Sequence, residues 1–376
     1  RNSATGEWLP AAGNLVVRCD SSTALNPGDR AVVRGKIYPF TARHGGYGRL
    51  MTRRGYVGTL YLNRSSLLLR DTLHRELSPK HLSLFLHERA VARLDRLALA
   101  PDEQALCNAM TAGDRRSLSP ALRAAYSRSG TSHLLAVSGL HVGIVFLLAN
   151  LLLWWLPLFR HGHILRNIAV ILLIWLYAAT TGFPPSVVRA ALMFSVLQFA
   201  LASSSEYVGM NTLAGVAFVM LLFHPDYLFD ISFQLSFIAV AGIIAWGLPL
   251  CRLLRTRRKS IDMLTATLAI GFSASAATAP LISHTFGQIS VVGLALNPVV
   301  ILLSYVVVGS CTLWLVIPGT ALAPLFSVVA GFAARAQNEL IRAAAALPAA
   351  ALDIRLTTTQ CWSVYGLFIF ATLLLW

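Results

Sequence analysis

The sequence predicts a polytopic α-helical membrane domain of seven to nine spans or half-spans, preceded by a small β-rich, OB-like domain. Three observations carry this. Hydrophobic residues make up 56% of the chain and charged residues only 12%, against about 25% charged in soluble globular proteins. Apolar stretches near the ~20 residues that cross the hydrocarbon of a bilayer recur from residue 134 onward. Ahead of them, short runs rich in Val, Ile and Tyr alternate with Gly, Pro, Asn and Asp, the pattern of strands and turns. The organisation is therefore a β domain over 1–70, a basic helical linker over 71–133 and a membrane domain over 134–376.

In the β domain the runs are GNLVVRC, DRAVVRGKIYPF and GYVGTLYLN, with turn signals at Pro27-Gly28-Asp29 and Gly45-Gly46. Basic residues lie within and between them. An OB-fold often offers a basic strand face to single-stranded nucleic acid, which makes Arg30, Arg34, Lys36, Arg49, Arg53 and Arg54 the candidate DNA contacts. Small barrels have other uses, and the strand pattern alone does not choose among them. Beyond Asp71 the period becomes helical, with Leu82, Phe85, Leu86 and Leu97 beside Arg89, Arg93 and Arg96. Such a helix either lies in the lipid interface with its arginines at headgroup level or packs on the barrel as a soluble linker.

Charge is unevenly placed. The net charge is +15, and residues 1–133 hold 20 Lys and Arg against 10 Asp and Glu, so +10 of it precedes the first span. A basic excess in a water-facing domain favours a polyanionic partner, nucleic acid or anionic lipid. The five cysteines form no CxxC and no Cys/His cluster at metal spacing, so neither a metal nor another cofactor is expected. Cys19 and Cys107 either pair or stay free. No signal peptide is visible and the chain opens on Arg1, which reads as a fragment or a processed product.

The apolar stretches run approximately 134–159, 164–182, 186–202, 209–223, 228–250, 262–282, 291–317, 321–347 and 361–376. The eighth carries Arg335, Glu339 and Arg342 and is read as interfacial or cavity-lining. Arg252, Arg255, Arg257, Arg258 and Lys259 make one loop strongly positive and place it in the cytoplasm. Counting back puts Arg160 and Arg166 inside too, and the N-terminal domain outside. Positive-inside bias then cannot account for that domain's charge.

Polar groups within spans are costly and face a partner or a wet cavity. Ser138, His141, Arg189, Asp230, Gln234 and Asn297 are the candidates for a pore or substrate path. Ser138 and His141 stand three apart on one helix face, with Gly139 and Gly143 allowing a neighbour to approach. They could bond helices together, line a path, or act as nucleophile and base, although a catalytic pair needs a third group and an oxyanion hole. Arg189 could pair with Asp230, snorkel to the headgroups, or meet a DNA phosphate. Leu296-Asn297-Pro298 reads as a broken helix, a feature of transporters and of simple kinks.

Five segments then occur in one order: Gly113-Asp114-Arg115 with Leu118-Ser119; Gly130 to Val142; Gly182-Phe183-Pro184-Pro185-Ser186-Val187-Val188-Arg189-Ala190; Asp230 to Phe237; and Leu296-Asn297-Pro298. In these the chain resembles the ComEC-type competence family of membrane proteins over roughly 107–376, with the strand-rich region in the place of the family's OB-like domain. The resemblance implies a channel that takes single-stranded DNA across the cytoplasmic, or inner, membrane of a bacterium during natural transformation. Partners would be DNA, membrane lipids, a separate nuclease and other uptake proteins, with oligomerisation open. Members usually begin with further spans, which this chain lacks. Many also end in a metallo-β-lactamase-like nuclease domain, but its HxHxDH motif is not found here: His161-Gly162-His163 lacks the following Asp-His. Strand degradation is therefore not assigned to the chain, which is expected not to be an enzyme. The rival readings are a small-solute transporter and, with less support, a membrane-embedded hydrolase.

Overall fold

The computed structural model describes residues 13–20, 25, 29–40, 48, 51–52, 55–71, 79–202, 209–290, 292–317, 323–347 and 351–375. They fall into two compact units, Arg1–Leu82 and Ser83–Trp376. The first holds five strands, β1 Asn14–Cys19, β2 Arg30–Val33, β3 Ile37–Pro39, β4 Tyr56–Leu62 and β5 Leu67–Asp71. β1 runs parallel to β4 and β3 antiparallel to it, giving a three-stranded sheet in the order β1-β4-β3, while β2 and β5 form an antiparallel pair. The run DRAVVRGKIYPF thus divides into two strands at Gly35, where a Cβ would lie 2.6 Å from Leu60 Cδ1. Alternation is clear along the central strand: Leu60 and Leu62 are buried, whereas Val57 and Tyr61 face outward.

The second unit is helical: α1 Pro79–Leu94, which crosses the boundary of the units, α2 Pro101–Thr111, α3 Pro120–Arg128, α4 Gly139–Leu152, α5 Gly162–Thr180, α6 Pro185–Ala202, α7 Gly209–Phe223 and α8 Ile231–Gly242. A π-helical turn, Ile243–Gly247, joins α8 to α9, Leu248–Leu253; α10 Lys259–Phe286, α11 Val292–Val316, α12 Ala323–Ala345 and α13 Thr358–Leu375 follow. A two-residue pair, β6 Ile289–Ser290 with β7 Ala351–Leu352, ties the start of α11 to the approach to α13.

Five stretches among the described residues are long and apolar enough to cross a membrane: Gly139–Leu158, Gly162–Thr180, Ile231–Leu253, Ile261–Phe286 and Leu296–Val316. Pro185–Ala200 and Gly209–Phe223 are shorter apolar helices. Only 17% to 39% of each long stretch is buried within the protein, so most of its apolar surface faces outward, as lipid contact requires. The chain is a membrane protein.

Residues 83–133 belong to this second unit. Ser83 Oγ donates to Ala179 O at 2.6 Å, His87 Nδ1 lies 3.1 Å from Thr180 O, and Trp314 Nε1 donates to Arg93 O at 3.1 Å. The principal core joins Leu106 and Met110 of α2 and Leu122 and Tyr126 of α3 to Val307 and Val308 of α11 and Ile341 of α12. α12 is amphipathic, and its polar stripe turns inward onto α2 and α3. Arg335 Nε donates to Glu103 Oε1 at 2.7 Å, Arg342 pairs with Asp102, and Asn338 accepts from Tyr126 Oη at 3.0 Å and donates to Asp102 O at 3.1 Å. Arg335 and Arg342 thus complete an ion-paired contact with α2 and, with Asn338 and Glu339, line a pocket against Ala100–Glu103, as the sequence reading allowed. The cysteines are free thiols, and Cys107 is hydrogen-bonded to Cys311 in this core, so no Cys19–Cys107 disulfide forms.

One expected feature changes and one is borne out. α11 is continuous through Pro298: the proline lies in its second turn, where one lost amide bond leaves the rest of the ladder intact. The Gly113-Asp114-Arg115 segment is a built turn, with Gly113 at φ +82° and the buried Asp114 accepting from Arg116 N, Nε and Nη2, each at 2.9 Å. That hydrogen-bonded guanidinium holds the Asp114 carboxyl below its usual value despite burial.

Two predictions follow from these contacts. Tyr126→Phe deprives Asn338 and Gln337 of their shared partner (Gln337 Nε2 lies 3.3 Å from Tyr126 Oη) and lowers stability by about 1–3 kcal/mol, measured by denaturant unfolding in detergent. Because the folded-state value of Asp114 is depressed, its contribution is fully present above the unfolded carboxyl value of about 3.9 and is lost as pH falls through the folded one. Melting curves of Asp114→Asn and wild type should therefore lie apart near neutrality and converge below about pH 4.

Candidate functional site

The outward face of the β1-β4-β3 sheet gathers aromatic rings and cations. Arg18 of β1 is in register with Tyr61 of β4, and its guanidinium lies 5.9 Å from that ring's centroid. Lys36 Nζ stands 5.9 Å from the ring of Tyr38 on β3, and Tyr38 meets Tyr61 edge to face at 5.8 Å. Both tyrosines are about half exposed, at 50% and 55%. An exposed aromatic pair flanked by cations offers a base-stacking platform beside phosphate contacts. Of the basic residues proposed from sequence, Lys36 is on this face. Arg34 is exposed in the β2–β3 connection and Arg30 is exposed on β2; Arg49, Arg53 and Arg54 lie outside the described residues. Sequence reasoning missed Arg18, Tyr38 and Tyr61. The signal was the strand period itself, which puts Tyr61 on the face opposite Leu60 and Leu62.

Ser138 caps α4. His141 folds back so that its Nδ1 accepts from Ser138 N at 2.9 Å, with Ser138 Oγ 3.2 Å away. An Nδ1 that accepts a backbone amide places the ring proton on Nε2. His141 is fully buried, and its Nε2 has no hydrogen-bond partner. The Ser–His proximity is thus a helix cap, its Nδ1 already engaged by a backbone amide, and no carboxylate orients the ring from the other side among the described residues.

Arg189 lies one turn into α6, after a turn in which Gly182 and Phe183 both have positive φ, +84° and +53°. It is only 4% exposed, which rules out snorkelling. Its guanidinium sits 5.5 Å above the ring of Phe237 on α8. Toward α4, its Nη2 is 3.5 Å from where a Cβ on Gly139 would stand. Gly139 and Gly143 do let α6 approach, Gly143 facing Phe194. Nη1 is buried without a partner. Arg189 forms no ion pair among the described residues, so the expected bridge to Asp230 is absent.

Asp230 instead caps α8, accepting from Ser232 N at 2.8 Å and Phe233 N at 3.3 Å, and Gln234 Nε2 donates to Leu228 O at 2.8 Å. Capping accounts for the two Asp230 bonds, and Gln234 ties α8 back to the preceding turn. Asn297 is partly buried on α11, and its Oδ1 is buried without a partner. The structure therefore separates the six intramembrane residues: Ser138 and Asp230 cap helices and Gln234 bonds to the turn before α8, while His141, Arg189 and Asn297 each keep one buried polar atom unengaged. Among the described residues no cluster of three or more His, Cys, Asp or Glu is placed to hold a metal.

Comparison with known proteins agrees with these landmarks. ComE operon protein 3 of Bacillus subtilis (strain 168) is 33% identical over 204 residues, 53% of this chain and 24% of that protein. A protein of Aquifex aeolicus (strain VF5) is 29% identical over 201 residues, 53% of this chain and 45% of that protein. The chain thus spans less than half the length of either curated relative. No solved structure matches. The sequence model of the family described as "Competence protein" matches residues 110–376, which takes in α4, α6, α8 and α11 and every intramembrane residue discussed above, and the chain belongs to that family.

Proposed function

We propose that this protein is a channel that carries single-stranded DNA across the cytoplasmic (inner) membrane of a bacterium, with its β-rich unit on the outer side as an OB-like capture module. The observation that carries the reading is that His141, Arg189 and Asn297, set in apolar helices, each retain a buried polar atom with no protein partner. Such atoms are expensive in a bilayer unless water or a polar solute reaches them. Membership of the competence family supports DNA as that solute. The cation-flanked tyrosines of the β unit support capture of a strand through stacking and phosphate contacts. Few fixed cations along the spans suit conduction, since a polyanion must leave each contact as readily as it enters.

In this reading the chain transports and does not catalyse. Degradation of the complementary strand falls to a separate nuclease, lipids surround the spans, and further uptake proteins deliver the DNA. The continuity of α11 removes the broken helix on which a small-solute transporter reading rested.

The reading is tested on the full chain in lipid nanodiscs. Affinity for single-stranded DNA should fall steeply with salt, and Lys36→Ala should lower the log–log slope by about 0.7. Tyr61→Ala should weaken binding by about 1–3 kcal/mol at each salt concentration with the slope unchanged. Salt-independent binding, or binding no better than to a neutral polymer, refutes the capture role. A second test separates capping from conduction. His141→Asn keeps an acceptor for Ser138 N but lacks the Nε2 proton; it should stay folded yet lose about tenfold in DNA uptake into liposomes, as for one hydrogen bond. Full uptake by this variant would leave His141 as a cap alone.

A further inference from the structure

Arg189 presents an electrostatic imbalance that the protein itself does not resolve. A guanidinium 4% exposed has left water, and burial of a cation is costly unless an anion accompanies it. Its neighbours make matters worse. Gly139 is the first residue of α4, and the start of a 14-residue helix carries partial positive charge; Ser138 O takes the amides of His141 and Val142, which leaves those of Gly139 and Leu140 as the donors of this turn. The Arg189 Nη2 lies against that turn, 3.5 Å from the Cβ position of Gly139. On the other side stands the ring of Phe237, 5.5 Å away, which attracts the cation through its quadrupole but takes up none of its hydrogen bonds. Nη1 is buried with no partner, and no carboxylate pairs with Arg189 among the described residues. A buried cation and a helix N-terminus thus converge where the protein supplies no negative charge; Ser138 covers part of the helix end, and the absence of a side chain on Gly139 leaves room beside the guanidinium.

We propose that Arg189 and the first turn of α4 form a binding site for a single phosphate oxyanion. Guanidinium N–H groups and helix-start amides are both favoured protein donors to phosphate, and here the guanidinium lies beside the first residue of the helix. The site rests on the channel reading only for its occupant: if that reading holds, the anion is a phosphodiester of the passing strand. The same chemistry would also take the phosphate of a lipid headgroup. Phe237 keeps the guanidinium extended toward α4 between occupants.

The test uses the full chain in phosphatidylcholine nanodiscs at low ionic strength, with thermal unfolding as the readout. The probe is a thymidine dinucleotide with one phosphodiester, compared with its uncharged methylphosphonate counterpart. The phosphodiester should raise the melting temperature of wild type and of a Tyr38→Ala/Tyr61→Ala variant, which excludes the β unit as the source. The methylphosphonate should raise neither. Arg189→Gln should need at least about tenfold more phosphodiester for the same shift, the equivalent of one charge-assisted hydrogen bond. Arg189→Lys, which keeps the charge should the glutamine variant fail to fold, should retain discrimination against the methylphosphonate with weaker binding. Equal responses of wild type and Arg189→Gln, or equal responses to the two dinucleotides, overturn the site. Native mass spectrometry in nanodiscs doped with phosphatidylglycerol identifies the source. A retained anionic lipid that Arg189→Gln releases makes a headgroup the resident anion, whereas dinucleotide binding without retained lipid makes it DNA. Liposome uptake keeps the two ideas apart: no DNA uptake with intact phosphodiester binding defeats the channel and leaves the site, and normal uptake by Arg189→Gln with lost binding shows the site to be dispensable to the channel.

Discussion

Inside hydrocarbon a polar atom has no water to turn to, so it is met by the protein or by whatever the protein conducts. Much of the second unit follows from this constraint. Tyr126, Gln337 and Asn338 bond to one another in the core, Glu103 and Asp102 take Arg335 and Arg342, and Asp230 closes the start of α8. Against that background His141 Nε2, Arg189 Nη1 and Asn297 Oδ1 are left unpaired, as are Tyr177 Oη, Gln198 Oε1, Ser273 Oγ and Thr312 Oγ1 in the same helical unit. His141, Arg189 and Asn297 lie on three different helices, α4, α6 and α11.

The membrane character of the chain was legible because hydropathy follows directly from the solvent, and a span needs only length and apolarity. The residues breaking that pattern were legible for the same reason. Their partners were not. The bridge from Arg189 to Asp230 was expected from opposite charge, yet the aspartate is taken by amides two and three residues ahead of it, a local bond that costs little chain entropy. Pro298 marked a break that the helix absorbs. The polar stripe of α12 does line a pocket, but the partners that share it, Asp102 and Glu103, lie more than 200 positions earlier, beyond the reach of any periodicity argument.

The same long-range pairing explains why residues 83–133 were hard to place. Their composition is that of a basic helical linker, interfacial or soluble, and boundaries were expected near residues 70 and 133. The structure draws a single one between Leu82 and Ser83, because α2 and α3 bury Leu106, Met110, Leu122 and Tyr126 against α11 and α12. In the β unit, the strands were foreseen from Val, Ile and Tyr runs. The tyrosines escaped notice because charge was weighed and aromatic position on the sheet was not.

The bond from Tyr126 to Asn338 joins residues 212 positions apart. A ribosome adding about 5–20 residues per second needs roughly 10–40 s to cover that distance. For that interval α2 and α3 exist with their buried face uncovered, while α4 to α11 emerge and enter the bilayer. The early helices α2 and α3 are thus covered only once α11 and α12 have been made, late in synthesis.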